Sequence, residues 1–159
     1  MTGLVSVSIM MIIKMSVVNM AQNIKNIHPD YMIMYKVGGF YNCYGKDAYI
    51  ASYLFEYKIR LIENNITVIG FSKNAISKVI AKIEREKINY ILIDTKNNYD
   101  IDSKEEFGNL NRYNYVVCKA KEVVNIRIRI EKIEKELLKK ENYNKIKKIE
   151  EIIYENRKV

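Results

Sequence analysis

The sequence predicts an α/β fold, a mixed β-sheet flanked by helices and followed by a C-terminal helical hairpin or coiled coil. Three observations carry this. Apolar runs of strand length alternate with segments of helical spacing in the order α, β, α, β, β, α, β, loop, β. Pro29, Gly38-Gly39, Gly45 and Glu63-Asn64-Asn65 fall at joints between those runs. From Ala120 onward the pattern becomes helical. A chain of 159 residues that is 48% hydrophobic holds one globular domain and an appended segment.

Residues 1–19 form an apolar arm. The run from Leu4 to Val18 is interrupted by Lys14, lacks a preceding basic residue and a small-residue cleavage site, and is shorter than the roughly 20 residues that span a bilayer. Neither a signal peptide nor a membrane anchor is expected, and the arm is read as an extra strand or a loosely packed segment. Internal Met10, Met11, Met15 and Met20 also offer later translation starts. A first helix spans Met20 to His28, with Met20, Ile24 and Ile27 at helical spacing and Pro29 disfavouring helix in the residue before it.

Asp30 leads into a strand from Tyr31 to Val37, and Gly38-Gly39 falls where that strand ends. Two glycines permit positive φ or a close backbone approach, and they leave Phe40 and Tyr41 projecting from a bend or folding back into the core. Gly45 to Leu54 reads as a helix with Ala48, Ala51 and Leu54 or Phe55 inward and Asp47 near its positive end. Tyr57 to Ile62 and Ile66 to Phe71 form an antiparallel hairpin across Glu63-Asn64-Asn65. Ser72 caps a helix from Lys73 to Lys87 with an inward stripe of Ile76, Val79, Ile80 and Ile83. Asn89 to Thr95 is an apolar, central strand. The polar, acidic stretch from Lys96 to Asn111 reads as a surface loop, and Arg112 to Lys119 as a further strand.

The remaining segment, residues 120–159, is a basic amphipathic extension. Ile126, Ile130, Ile133 and Leu137 are spaced four, three, four, and Ile146, Ile149 and Ile153 resume the step after a break at Glu141 to Asn144. Three arrangements fit: a hairpin packed on the domain, a dimerising coiled coil, or a basic helix pair lying along DNA.

The formal charge is +8, and residues 119–159 supply five of those eight excess charges, with 13 Lys/Arg against 8 Asp/Glu. Such a balance suits an acidic partner. Abundant Ile, Lys, Asn and Tyr with scarce Pro and Trp, however, is the bias of AT-rich coding, which raises lysine everywhere. Cys43 and Cys118 are 75 positions apart and His28 is the single histidine, so a zinc site lacks ligands and both thiols read as reduced, in a cytoplasmic protein. No metal or cofactor is expected.

The order of features resembles the amino-terminal mismatch-recognition domain of the MutS family. It runs through Pro29-Asp30, the strand Tyr31 to Lys36, the turn Gly38-Gly39-Phe40-Tyr41-Asn42, Asp47-Ala48, Gly70-Phe71-Ser72, the helix from Ile76 to Glu86 and the strand Tyr90 to Thr95. The resemblance covers roughly residues 20–119. It implies that Phe40 stacks on a mispaired base from the minor groove. The family's glutamate two positions on is here Asn42, which donates and accepts hydrogen bonds but lacks charge and length, and Gly39 replaces an aspartate. No GxxxxGK[ST] phosphate loop accompanies these motifs.

The reading drawn from this is a non-enzymatic module for double-stranded DNA, mismatched or easily deformed. Phe40 is its wedge, Asn42 a base contact, Gly38, Gly39 and Tyr41 its turn, and Lys36 and Lys46 the phosphate contacts, chosen for nearness to the turn. A second reading makes the fold a scaffold and residues 120–159 the interface for a second copy or another protein. A third, Mg²⁺-assisted nucleic-acid cleavage by Asp94, Asp100, Asp102, Glu105 and Glu106, lacks fixed ligand spacing and an assembled acid/base partner.

Overall fold

A computed structural model describes residues 17–155. The apolar arm otherwise lies outside those residues; its last part, from Val17, already belongs to helix α1 (residues 17–27). There follow β1 (Met32–Val37), β2 (Phe40–Tyr44), α2 (Lys46–Phe55), β3 (Arg60–Ile62), β4 (Ile66–Ser72), α3 (Ile76–Arg85), β5 (Tyr90–Asp94), β6 (Asp100–Glu105), α4 (Leu110–Leu137) and α5 (Tyr143–Glu155). The six strands make one sheet in the order β3-β4-β2-β1-β5-β6. All pairings are antiparallel except β1 with β5.

Strand β1 is apolar from Met32 to Tyr35 because helices cover both of its faces there. Met32, Ile33 and Met34 are completely buried. On one face Met32, Met34, Tyr41, Cys43, Ile69, Phe71 and Leu92 pack with Ala48, Ala51 and Leu54 of α2, Val79 and Ile83 of α3, and Tyr113, Val116 and Val117 of α4. On the other, Ile33, Tyr35, Ile91 and Ile93 lie with Ala21 and Ile24 of α1. The α3 stripe read from the sequence thus faces the core. Ser72 accepts from the Asn74 amide at the start of this helical segment, as a cap should. At the β3–β4 turn Asn64 and Asn65 both take left-handed φ, 60° and 58°, which asparagine tolerates better than most residues.

Three sequence expectations are corrected. Phe40 to Tyr44 is a strand, paired on both sides with β1 and β4, rather than a bend leading directly to α2. The expected loop from Lys96 to Asn111 contains β6, an edge strand. Its charged, largely exposed sequence hides it from a search for apolar alternation, and charge on an edge discourages pairing with other chains. Arg112 to Lys119 is helical. Its tyrosines and valines favour strand, but the buried positions Tyr113, Val116, Val117 and Ala120 fall at steps of three, one and three, one side of a helix, while Tyr115 is exposed.

The chain divides into two compact units, up to Lys121 and from Glu122. In the second, α4 ends at Leu137 and a 3₁₀ turn, Lys140–Asn142, precedes α5. Asn142 is buried and its side-chain amide donates to the Glu136 carbonyl (2.9 Å) and carboxylate (3.1 Å), which fixes the break.

A buried carboxylate ties the first unit together. Asp47, 2% exposed, accepts from Lys25 of α1 (2.8 Å), the Tyr113 hydroxyl of α4 (2.7 Å) and the Ile33 amide of β1 (3.1 Å). Burial lowers the Lys25 pKa against the opposing pull of Asp47, and burial first, Asp47 second, raises that of Tyr113. Removing one partner of such a group strands the others, so Asp47→Ala should destabilise the fold by about 3–5 kcal/mol. Lys36→Ala, which breaks the exposed pair with Asp94, should change the melting temperature little. Comparison of the two thermal melts tests this, and similar melts would contradict it.

The tyrosines give a pH signature. Burial raises Tyr35, Tyr44 and Tyr113, and burial with the Glu84 hydrogen bond raises Tyr90 to about 12. A pKa raised on folding contributes stability that is complete below the unfolded value and is lost as pH climbs toward the folded one. Melting temperature should therefore fall as pH rises past 10 toward about 12. A flat alkaline profile would contradict this.

Candidate nucleic-acid interface

The turn between β1 and β2 has two residues, closed by the Val37–Phe40 pair. Gly38 has φ +61° and Gly39 does not have positive φ, the pattern of a type II′ turn with glycine at its first central position. The tip is braced from the other side as well. The Lys73 amide donates to the Gly39 carbonyl (2.9 Å), and Phe40 pairs with Ser72 of β4. A short turn held on both flanks presents the next side chain in a fixed direction.

Strand alternation then separates the two aromatics that the sequence placed together. Phe40 is 57% exposed. Tyr41 points to the opposite face, where it is buried and stacks on Phe71 with ring centroids 6.0 Å apart. Asn42 returns to the Phe40 face and is half-buried, its amide donating to the Tyr44 hydroxyl (3.3 Å).

Asn42 occupies a notch made by Gly70, its cross-strand partner on β4. A Cβ at position 70 would lie 2.7 Å from Asn42 Oδ1 and 3.6 Å from Arg60 Nη2. The absent side chain of Gly70 thus lets Asn42 and the exposed Arg60 of β3 approach on the face that carries Phe40. The sequence reading missed Arg60. The usable signal was a glycine inside a strand, which marks a close approach, combined with the hairpin register set by the Asn64-Asn65 turn.

The two lysines chosen for nearness lie elsewhere. Lys36 pairs with Tyr41 in register and so shares its face, where it makes a 2.9 Å ion pair with Asp94. That hydrogen bond raises the Lys36 pKa and lowers that of Asp94. Lys46 lies past the far end of β2, about 13 Å of strand beyond Phe40, and borders a cavity of about 470 Å³ with Gln22, Lys25 and Asp47. An exposed cation beside the tip is Lys73, whose amide is bonded to Gly39 and whose neighbour Ser72 pairs with Phe40.

The carboxylates considered for metal chemistry are spread along β5, β6 and the segment after it. Asp94 is taken by Lys36, and Glu106 is paired with Lys104 and accepts from the Tyr31 hydroxyl. Among the described residues no group of three or more His, Cys, Asp or Glu is placed to hold a metal ion. No helix among them is long and apolar enough to cross a membrane.

The notch makes a prediction of its own. Gly70→Ala should displace the Asn42 side chain, the movable end of the close contact, and break its bond to Tyr44. It should leave stability within about 1 kcal/mol of the parent, since one hydrogen bond contributes about that much. A shifted Asn42 side-chain amide signal in NMR with a near-parental melt is expected. An unmoved signal would contradict the notch.

Comparison with curated proteins finds no match. The family model for MutS domain I matches residues 16–104, which takes in β1 through β5, the glycine turn, the Asn42–Gly70 notch and most of β6. With more than half of its length covered, the chain belongs to the MutS domain I family, a mismatch-recognition type of DNA-binding domain.

Proposed function

We propose that this protein is a non-enzymatic binder of duplex DNA that favours mismatched or deformable sites, with Phe40 as a wedge entering the minor groove. The observation that carries the reading is the exposed ring of Phe40 at the tip of a doubly braced turn. Magnitudes decide what such a ring can do. Fully burying a phenylalanine side chain is worth about 1.5–3 kcal/mol, and the part still exposed here is worth less. Unstacking a base step costs a few kcal/mol. The ring alone therefore does not open a well-stacked duplex, and insertion becomes favourable where pairing or stacking is already weak. The wedge reads deformability rather than sequence.

Asn42 stands beside the wedge and offers an amide to a base edge. Compared with a carboxylate it gives up the charge-assisted hydrogen bond, the stronger kind, so the preference for a mismatch is expected to be modest. Arg60 and Lys73 suit phosphate contacts on the flanks of Phe40, and these supply most of the affinity and its fall with salt. Lys36, already paired with Asp94, is a weaker candidate than either.

A second reading rests on a separate observation. Ile126, Ile130 and Ile133 leave an apolar stripe exposed on α4, which suits a protein-interaction role for the C-terminal helices.

Fluorescence anisotropy with matched and single-mismatch duplexes of one length, over a salt series, tests the first reading. Phe40→Ala should weaken binding to the mismatched duplex about tenfold, the equivalent of about 1.4 kcal/mol, and leave salt-dependent binding to matched duplex nearly unchanged. A change at the opposite end of the sheet, such as Lys104→Ala on β6, should have little effect. Unaltered mismatch affinity in Phe40→Ala would overturn the wedge.

A further inference from the structure

We infer that the second half of α4 is a self-association seam whose occupant is the same helix of a second copy of this chain, aligned in parallel. The inference does not depend on the DNA reading, and it gives the interaction reading a specific partner.

Helix α4 carries two apolar stripes. The first, through Tyr113, Val116, Val117, Ala120 and Val124, is buried and continues to the half-buried Ile128. The second runs through Val123, Ile126, Ile130, Ile133 and Leu137, at steps of three, four, three and four. Ile126, Ile130 and Ile133 on it are 46%, 57% and 54% exposed. A strict 3.5-residue repeat is the spacing that keeps one seam facing another helix, whereas a stripe lying on a globular surface is usually broader and follows 3.6. The spacing therefore specifies a helix as the missing neighbour.

The charges beside the seam specify which helix. With Val123, Ile130 and Leu137 at a and Ile126 and Ile133 at d, the g positions are Glu122, Arg129 and Glu136 and the e positions are Arg127 and Glu134. In a parallel, in-register pair each g residue faces the next e residue of the other copy. Arg129 then meets Glu134, opposite in sign and repeated by symmetry. An antiparallel pair would also bring opposite charges together, Glu134 against Arg127 and Arg129 against Glu136, and the latter decides between the two. That carboxylate is already held by Lys139 (2.7 Å) and Asn142 (3.1 Å), where it secures the end of α4. The parallel alignment uses the charges without undoing that turn. Isoleucine at d as well as at a also admits a third strand, around which the same g-to-e pairing closes. The seam is only about two heptads long, so association should be weak and concentration-dependent.

Sedimentation equilibrium of the full chain over a wide concentration range tests this without DNA. The apparent mass should rise from the 18.8 kDa of one chain to a multiple of it. The double variant Ile130→Glu, Ile133→Glu should stay at the single-chain mass with unchanged helical circular dichroism. Arg129→Glu and Glu134→Arg should each weaken self-association at least tenfold, and an equimolar mixture of the two should regain it, since each new charge then meets its opposite across the parallel seam. A single-chain mass at every concentration, or association insensitive to the isoleucine changes, would overturn the seam. A mixture that fails to regain association would overturn the parallel pairing.

Discussion

Asp47 and the three groups that donate to it form the constraint on which the rest of the first unit depends. A carboxylate that is 2% exposed is almost wholly withdrawn from solvent, so its position is fixed by Lys25, Tyr113 and the Ile33 amide. Those donors come from α1, α4 and β1, and Asp47 itself opens α2. One buried group thereby sets three helices against the central strand. The consequence for function is indirect but physical. Once β1 is fixed, its partner β2 is fixed, and so is the direction in which the turn between them points Phe40.

The candidate site follows from strand geometry in the same way. Alternation sends Phe40 and Asn42 to one face and Tyr41 to the other, and stacking of Tyr41 on Phe71 anchors the strand that carries Phe40. Gly70 contributes by lacking a side chain, since the space it leaves is occupied by Asn42 with Arg60 alongside. The face around Phe40 thus combines an apolar ring, an amide and a cation. Such a set matches the proposed role, a surface that bends a nucleic acid and touches its backbone.

Much of this was legible in the sequence, and the misses have physical reasons. The apolar run of β1, the Gly38-Gly39 turn, the α3 stripe with its Ser72 cap and the asparagine turn of the β3–β4 hairpin each rest on a local rule, and each was read correctly. Strand β2 was missed because Phe40 to Tyr44 is short and lies directly between two glycine turns, where the turn signal dominates. Strand β6 was missed because it is a charged edge, and the start of α4 because tyrosine and valine favour strand locally while tertiary burial selects helix. At the proposed site, Phe40 and Asn42 were singled out from the motif. Arg60, and the diversion of Lys36 to Asp94, depend on cross-strand register and on which face each residue occupies. Nearness in sequence does not report either.

The central claim is that Phe40 enters the base stack, and fluorescence of a 2-aminopurine placed beside a mispaired base reports that event directly, because the base brightens when it is unstacked. Binding of the protein should raise the signal at the mismatch and raise it far less in a matched duplex. Phe40→Ala, at concentrations that saturate the DNA, should leave it near the level of free duplex. A saturated complex with no rise, or with the same rise in Phe40→Ala, would contradict insertion of the ring.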